Sequence, residues 1–437
     1  MQKKVNVIGA GLAGCEAAFT LAERGVKVSL YEMKPQKRSP AHHTDMFCEL
    51  VCSNSLKAAR IESAAGLLKE EMRRLGSITM QAAANTSVSA GGALAVDRDD
   101  FAAFVTNKIK SHPNITVISE EVTDINFDDI TIIATGPLTS DALSEEIKKI
   151  CGDSLSFYDA AAPIVTRDSL DMSKVFAASR YGRGDDDYLN CPFNQEEYLA
   201  FYDELINAES VVLKEFEKSA MTVYEGCMPI EIMAKRGEDT IRFGPLKPVG
   251  LRDPRTDRRP WAVVQLRREN AEGTLLNLVG FQTNLKFPEQ KRVFSMIPGM
   301  ENAEFVRYGV MHRNTFINSP KVMSATLNLK INPKLFFAGQ ITGVEGYIES
   351  AASGILAGLN AFLMLEGKEM LTLPKETMLG ALIGYITDES VVDFQPMGSN
   401  MGILPSLDVH IKSKQERYGA LSQRALKILD EYLQTRL

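Results

Sequence analysis

Apolar and polar positions near the start of the chain follow first a strand period and then a helix period. Val5-Asn6-Val7-Ile8 is a short β-branched run, and a helical pattern follows from about Cys15 to Arg24, where Gly25 stops it. Val26 to Tyr31 predicts a second strand, with Glu32 at its end. Ile130 to Ile133 and Leu335 to Phe337 are further strand runs, and a helix of small residues is predicted over Ala351–Leu365. Ala262–Leu266 and Leu275–Val279 read as strands of a hairpin connected through Glu272-Gly273. Leu421, Ala425, Leu429 and Leu433 recur every fourth residue, the pattern of a packed amphipathic helix.

Gly9-Ala10-Gly11-Leu12-Ala13-Gly14 joins the first strand to the first helix, giving the strand–GxGxxG–helix–strand–acid order of a dinucleotide site. Gly9 suits the tight turn, Gly11 lets a pyrophosphate approach the backbone, and Gly14 lets the helix pack on the strand. Glu32 is placed to accept from ribose hydroxyls. Ala134-Thr135-Gly136 resembles the end of the returning strand in FAD-binding flavoproteins, and Glu121-Val122 stands where such proteins flank the adenine. Gly339-Gln340 ends the late strand. Gly346-Tyr347-Ile348 then opens a helix whose N-terminus can stabilise negative charge on a reduced flavin. With FAD elements at both ends, the middle is expected to be an insertion. The division is 1–170 for the first part of the FAD domain, 171–310 for the insertion and 311–437 for the second part.

A chain of 437 residues, 45% apolar and 24% charged, is globular in composition, which excludes disordered and collagen-like classes. Six cysteines in this length do not make a disulfide scaffold and point to a reduced, cytoplasmic compartment. Cys48 and Cys52 form a C-x3-C without a second pair, so no metal site is expected. No membrane span is expected either, since the nearest apolar run, Gly354–Leu365, is too short. The net charge of −7 argues against a nucleic-acid partner until it is divided by region. Cys227–Arg313 holds 15 Lys+Arg against 10 Asp+Glu, a balance of +5, which leaves −12 elsewhere. The densest part, Arg252 to Arg259 followed by Trp261 and Arg267-Arg268, predicts a local phosphate-binding face.

Two cysteines stand in suggestive surroundings. Cys52 is expected just before a helix, with Ser53 and Asn54 as caps and Lys57 and Arg60 nearby, a setting that raises the thiolate fraction. Cys227 lies between Glu225 and Glu231, whose carboxylates hold a thiol proton more tightly.

Several long blocks resemble the bacterial folate- and FAD-dependent tRNA (uracil-5-)-methyltransferase family. They are the Gly9–Gly14 loop, CELVCSNSLK from Cys48, EGCMPIEIMAKRG from Glu225, RFGPLKPVGL from Arg242, NLVGFQTNLKFPEQKRVF from Asn277, RYGVMHRNTF from Arg307 and LFFAGQITGVEGYIESAASG from Leu335. FQPMGSNMGILP from Phe394 departs from the family pattern at Gly398 and Met401. The resemblance implies an α/β protein with a glutathione-reductase-like, Rossmann-type FAD-binding domain and a smaller inserted α+β domain. It implies methylation of uridine C5 in the tRNA T-loop, reached through the T-arm, with ribosomal RNA as the alternative substrate. Methylenetetrahydrofolate would give the carbon, reduced FAD would carry it and supply hydride, and NADH or NADPH would recharge the flavin. Cys52 and Cys227 carry over as the catalytic thiols. Its lowered thiol pKa favours Cys52 as nucleophile, the basic stretch favours Cys227, and the assignment stays open. The folate is expected near Tyr347 and Gly280–Asn284, and a monomer is the expected state.

Overall fold

The computed structural model describes residues 4–39, 41–152, 155–160, 162–182, 185–211, 228–270, 273–309, 311–391 and 394–436, with 155–160 and 311–314 described by backbone alone. Five parallel strands form the main sheet: β1 (Lys4–Ile8), β2 (Lys27–Glu32), β6 (Ile115–Ser119), β7 (Thr131–Ile133) and β16 (Leu335–Phe337). Their order is β16-β7-β1-β2-β6. Val5, Val7, Ile132, Ile133, Phe336 and Phe337 are wholly buried, as expected where helices cover both faces of a parallel sheet. β16 pairs with β7 at Leu335↔Thr131, so the two ends of the chain build one sheet.

Helix α1 (Leu12–Ala22) crosses the Tyr347–Leu365 helix at close range because both present small residues. A Cβ on Gly354 would lie 2.2 Å from the Ala13 carbonyl oxygen. The Tyr347–Leu365 helix is longer than the apolar run read from sequence, and it is the one described helix long and apolar enough to cross a membrane. Most of it is buried against α1 and the sheet, which makes it a core helix.

The chain between β7 and β16 builds a second, six-stranded sheet with its own core. Its strands are β9 (Ile164–Thr166), β10 (Phe176–Ala177), β11 (Tyr188–Phe193), β12 (Ala262–Arg268), β13 (Leu275–Leu278) and β14 (Phe305–Arg307), in the order β10-β11-β12-β13-β9-β14. β12 and β13 pair antiparallel as their alternating runs predict. Phe193, Tyr198, Phe201, Phe281 and Phe294 fill this core. β8 (Leu155–Ala160) and β15 (Met311–Phe316) pair side by side where the chain leaves and re-enters the main domain. A small sheet of β3 (Ser55–Ala58), β4 (Ser87–Val88) and β5 (Ala93–Val96) flanks the site. The C-terminal helix (Lys414–Arg436) buries Leu421, Ala425 and Leu429.

Two buried carboxylates terminate helices. Glu16 on α1 accepts from the Ile78 and Thr79 amides and the Ser77 hydroxyl at the start of α3 (Ile78–Asn85). Glu71 on α2 (Ala64–Arg74) accepts from Met378 and Leu379 at 2.7 and 2.9 Å, at the start of the Met378–Ile386 helix. Burial outweighs these hydrogen bonds and pushes the Glu71 carboxyl up to about 7. A raised carboxyl pKa means that the folded state holds the proton longer than the unfolded chain. Glu71 therefore favours folding most below its ordinary pKa, and stability falls as pH rises through about 7. The expected contribution to that fall is of order 2–3 kcal/mol between about pH 4.5 and 7. Chemical denaturation across this range should show the slope in the wild type and its loss in Glu71→Gln; equal slopes would exclude it.

Candidate active site

An open pocket of about 1380 Å³ lies above the C-terminal ends of the parallel strands, lined by the β1–α1 loop, the end of β2, residues 120–122, the loop after β7, Gly339-Gln340 and Tyr347. Gly9 sits at φ +98°, and a Cβ there would meet the Ala134 carbonyl oxygen at 2.7 Å. A Cβ on Gly14 would lie 1.8 Å from the Gly9 carbonyl oxygen, whereas one on Gly11 would meet nothing within 4 Å. The loop is thus pressed against the sheet on one side and open to a ligand on the other. No side chain caps α1, so its first amides and dipole face the pocket. Glu32 braces the loop by accepting from the Ala10 amide at 2.9 Å and from the Lys34 amide at 3.1 Å. Its carboxylate has further lone pairs for a ribose hydroxyl. This cradle fits a dinucleotide.

At one end of the pocket the Cys52 sulfur lies 2.9 Å from the Tyr347 hydroxyl oxygen. That oxygen also accepts from the amides of Cys52 at 2.7 Å and Ser53 at 3.3 Å. The neutral thiol donates to Tyr347; once the sulfur is ionised, the tyrosine proton can turn onto it. Burial and the neighbouring Cys52 hold the tyrosine hydroxyl well above its usual range, so Tyr347 stays protonated.

The residues around Cys52 are held from both domains. Arg98 donates to the carbonyls of Leu50 and Val51 at 2.7 and 3.2 Å and pairs with Glu269 at 2.9 Å. Burial works against the Arg98 charge, but Glu269 outweighs it and holds the guanidinium ionised. Arg267 donates to Asn54 Oδ1 at 3.1 Å and to Ser53 Oγ at 2.7 Å. Burial and the neighbouring Arg98 charge lower the Arg307 pKa, and its buried Nη2 has no hydrogen-bond partner among the described residues.

Residues 4–369 match a family model described as glucose inhibited division protein A. The methylenetetrahydrofolate--tRNA-(uracil-5-)-methyltransferase TrmFO of Desulforamulus reducens is 61% identical over 434 residues, 99% of this chain and 98% of that protein. The protein of the same name from Listeria monocytogenes serotype 4b is 60% identical, with 98% of each chain covered. The chain belongs to the TrmFO family. Among solved structures, Aquifex aeolicus GidA aligns with TM-score 0.72 at 17% identity, covering 98% of this chain and 73% of that one. That likeness fixes the fold as the FAD-binding Rossmann type with an inserted domain.

Of this chain's expected site residues, Gly9, Ala10, Gly11, Leu12, Ala13, Glu32, Val122, Thr135, Gly136, Gly339, Gln340, Tyr347 and Cys52 line this pocket together. Gly14 packs behind it, Gly346 (φ +122°) sets the turn into the helix, and Ile348 is buried in the core. Cys227 lies outside the described residues.

Several expectations change. No helix follows Cys52, whose chain runs instead into β3; the helix begins at Ala64, capped by Ser63, because Ser53 and Asn54 are held by Arg267 and by the Val96 and Arg268 carbonyls. Cys52 therefore has no helix dipole beside it, and Lys57 pairs with Glu349 at 2.7 Å. The Gln340 amide nitrogen is committed to Glu345 at 2.6 Å. Phe281, in the segment expected near the folate, is fully buried against Phe201 and Phe294. Glu231 turns into the inserted core and accepts from Thr283 and Asn284. In the basic stretch, Arg252 and Arg255 pair with Asp257 and Asp253, and Arg242 covers the Trp261 ring at 3.8 Å. Arg98, Glu269 and Arg307 gave no local signal, since only tertiary packing brings them to Cys52.

Proposed function

We propose that this chain methylates C5 of a uridine in the T-arm of tRNA, taking the carbon from methylenetetrahydrofolate, with FAD bound in the cradle and NADH or NADPH as reductant. The observation that carries the reading is the Cys52–Tyr347 contact at one end of the dinucleotide pocket. FAD would be held by Gly9–Gly14, Glu32, Val122, Thr135, Gly136, Gly339, Gln340 and the Gly346-Tyr347-Ile348 helix start. When bound, its reduced ring supplies one-carbon carriage and hydride.

Uracil C5 becomes nucleophilic only after a group adds at C6, and its proton must afterwards be removed. Cys52 has a hydrogen-bonded proton partner but no helix dipole to ionise it at rest. We therefore assign C5 proton removal to Cys52 with Tyr347, and addition at C6 to Cys227. The inserted sheet, begun by β9 at Ile164, suggests a domain boundary near residue 161 and a return to the FAD domain near 310, and we take the active unit as a monomer.

The test is transfer of labelled carbon from methylenetetrahydrofolate to unmodified tRNA and to ribosomal RNA, with reductant present. Label at uridine C5 of the T-loop is expected; label only in ribosomal RNA would move the substrate, and none in either would end the proposal. Tyr347→Phe removes the proton partner and leaves two amides without an acceptor, so kcat should fall about 10- to 100-fold. An effect confined to KM would exclude the proton role.

A further inference from the structure

Three aromatic rings stack nearly parallel on the inserted domain, beside the site. Phe305 and Tyr308 lie with centroids 5.2 Å apart and planes 9° apart, and Tyr308 and Phe287 follow at 4.8 Å and 15°. Phe305 rests on the inserted core, and the stack rises from it to Phe287, which is 51% exposed. Folding does not require so much open aromatic surface at the top of an ordered stack. The arrangement has the offset, parallel geometry in which aromatic rings attract one another and planar bases.

The surrounding charge selects the occupant. Lys291, exposed, lies one helical turn from Phe287 on the Phe287–Phe294 helix, so the two share a face. A bulge in β14 between Phe305 and Arg307 pairs them with the adjacent residues Val165 and Ile164, so Phe305 faces the inserted core while Arg307 leaves the strand on the other side. Arg307, next to Tyr308 in the chain, is largely buried toward Arg98 and the site, and its Nη2 has no partner among the described residues. A flat ring on the stack with a phosphate at Lys291 satisfies both features.

We propose that the Phe305–Tyr308–Phe287 stack is a platform for an RNA base next to the target uridine, with Lys291 holding the adjoining phosphate. This rests on the RNA methyltransferase reading and names how the RNA is held. Stacking on an aromatic ring depends on its π-face, not only on apolar area.

Binding of a labelled, unmodified tRNA by the full-length protein tests it through Phe287→Ala, Phe287→Leu and Phe287→Trp. The expected result is a rise in Kd of roughly 5- to 100-fold for the Ala and Leu variants, recovery to within about threefold for Trp, and quenching of the new indole by the RNA. Because Phe287 is half-exposed, these variants should keep the wild-type melting temperature. Wild-type affinity in Phe287→Leu would overturn the proposal, as would a raised KM for methylenetetrahydrofolate with unchanged Kd for tRNA, which would give the platform to the pteridine. Failure of the wild-type protein to bind any tRNA would instead overturn the RNA reading on which it rests.

Discussion

Cys52→Ala is expected to lower methyl transfer to tRNA by about 10²- to 10⁴-fold while leaving the RNA covalently trapped on the enzyme. The sulfur lies 2.9 Å from the Tyr347 hydroxyl and lines the dinucleotide pocket. Its loss removes the group assigned to the C5 proton but not the one assigned to attack C6. Addition should proceed, and the adduct should accumulate because it cannot be resolved. Cys227→Ala should abolish activity and adduct together. Denaturing electrophoresis of each variant with a labelled T-arm RNA separates these outcomes. An adduct in Cys227→Ala and none in Cys52→Ala would reverse the two roles. Comparable activity in Cys52→Ala and wild type would remove Cys52 from the chemistry. Ala is a fair replacement here, because Cys52 is only half-buried and the backbone around it is fixed independently by Arg98 and Arg267.

Gly14→Ala is expected to yield a protein that fails to fold or to retain flavin, with a loss of at least about 3 kcal/mol. The added methyl carbon would lie 1.8 Å from the Gly9 carbonyl oxygen and 2.9 Å from its carbonyl carbon, both backbone atoms of the turn that forms the cradle. Relief would require α1 to withdraw from β1 or the turn to open, and either movement destroys the phosphate site. Gly11→Ala makes the useful contrast. Its φ of −76° suits any residue, and its Cβ meets no protein atom within 4 Å. The apoprotein should therefore melt within about 1 kcal/mol of wild type. Flavin affinity should nevertheless drop at least about tenfold, because the methyl group occupies the space where the pyrophosphate approaches. Thermal melts with and without added FAD, and the 450 nm absorbance retained through gel filtration at about micromolar protein, read both effects. Equal behaviour of the two variants would mean that the loop is not a dinucleotide cradle.

How much of this was legible in the chain depends on how local the responsible interaction is. Gly9, Gly11, Gly14 and Glu32 were readable because turn, close approach and acid lie within one strand–helix–strand unit, where spacing along the chain fixes spacing in space. The two-part FAD domain was readable because Ile130–Gly136 and Leu335–Gly339 each carry a buried strand ending at a glycine. Cys52 lines the pocket beside Tyr347, but not in the helix-cap setting that its neighbours along the chain predict. Ser53 and Asn54 are good helix caps in isolation, yet Arg267 and the carbonyls of Val96 and Arg268 claim their side chains, and the chain extends into β3.

The sequence by itself determined the sheet-forming runs, the glycine turn between β1 and α1 and the displacement of positive charge toward residues 227–313, because each is a property of neighbours along the chain. Only the tertiary structure decided which of those charges count. Arg252 and Arg255 are taken up by Asp257 and Asp253, while Arg267 and Arg307 turn inward beside Arg98 to surround Cys52. It also placed Tyr347 on the Cys52 sulfur across nearly three hundred residues. A hydrogen bond or ion pair between distant segments leaves no periodicity behind; it exists only once two cores have packed and brought their surfaces within reach.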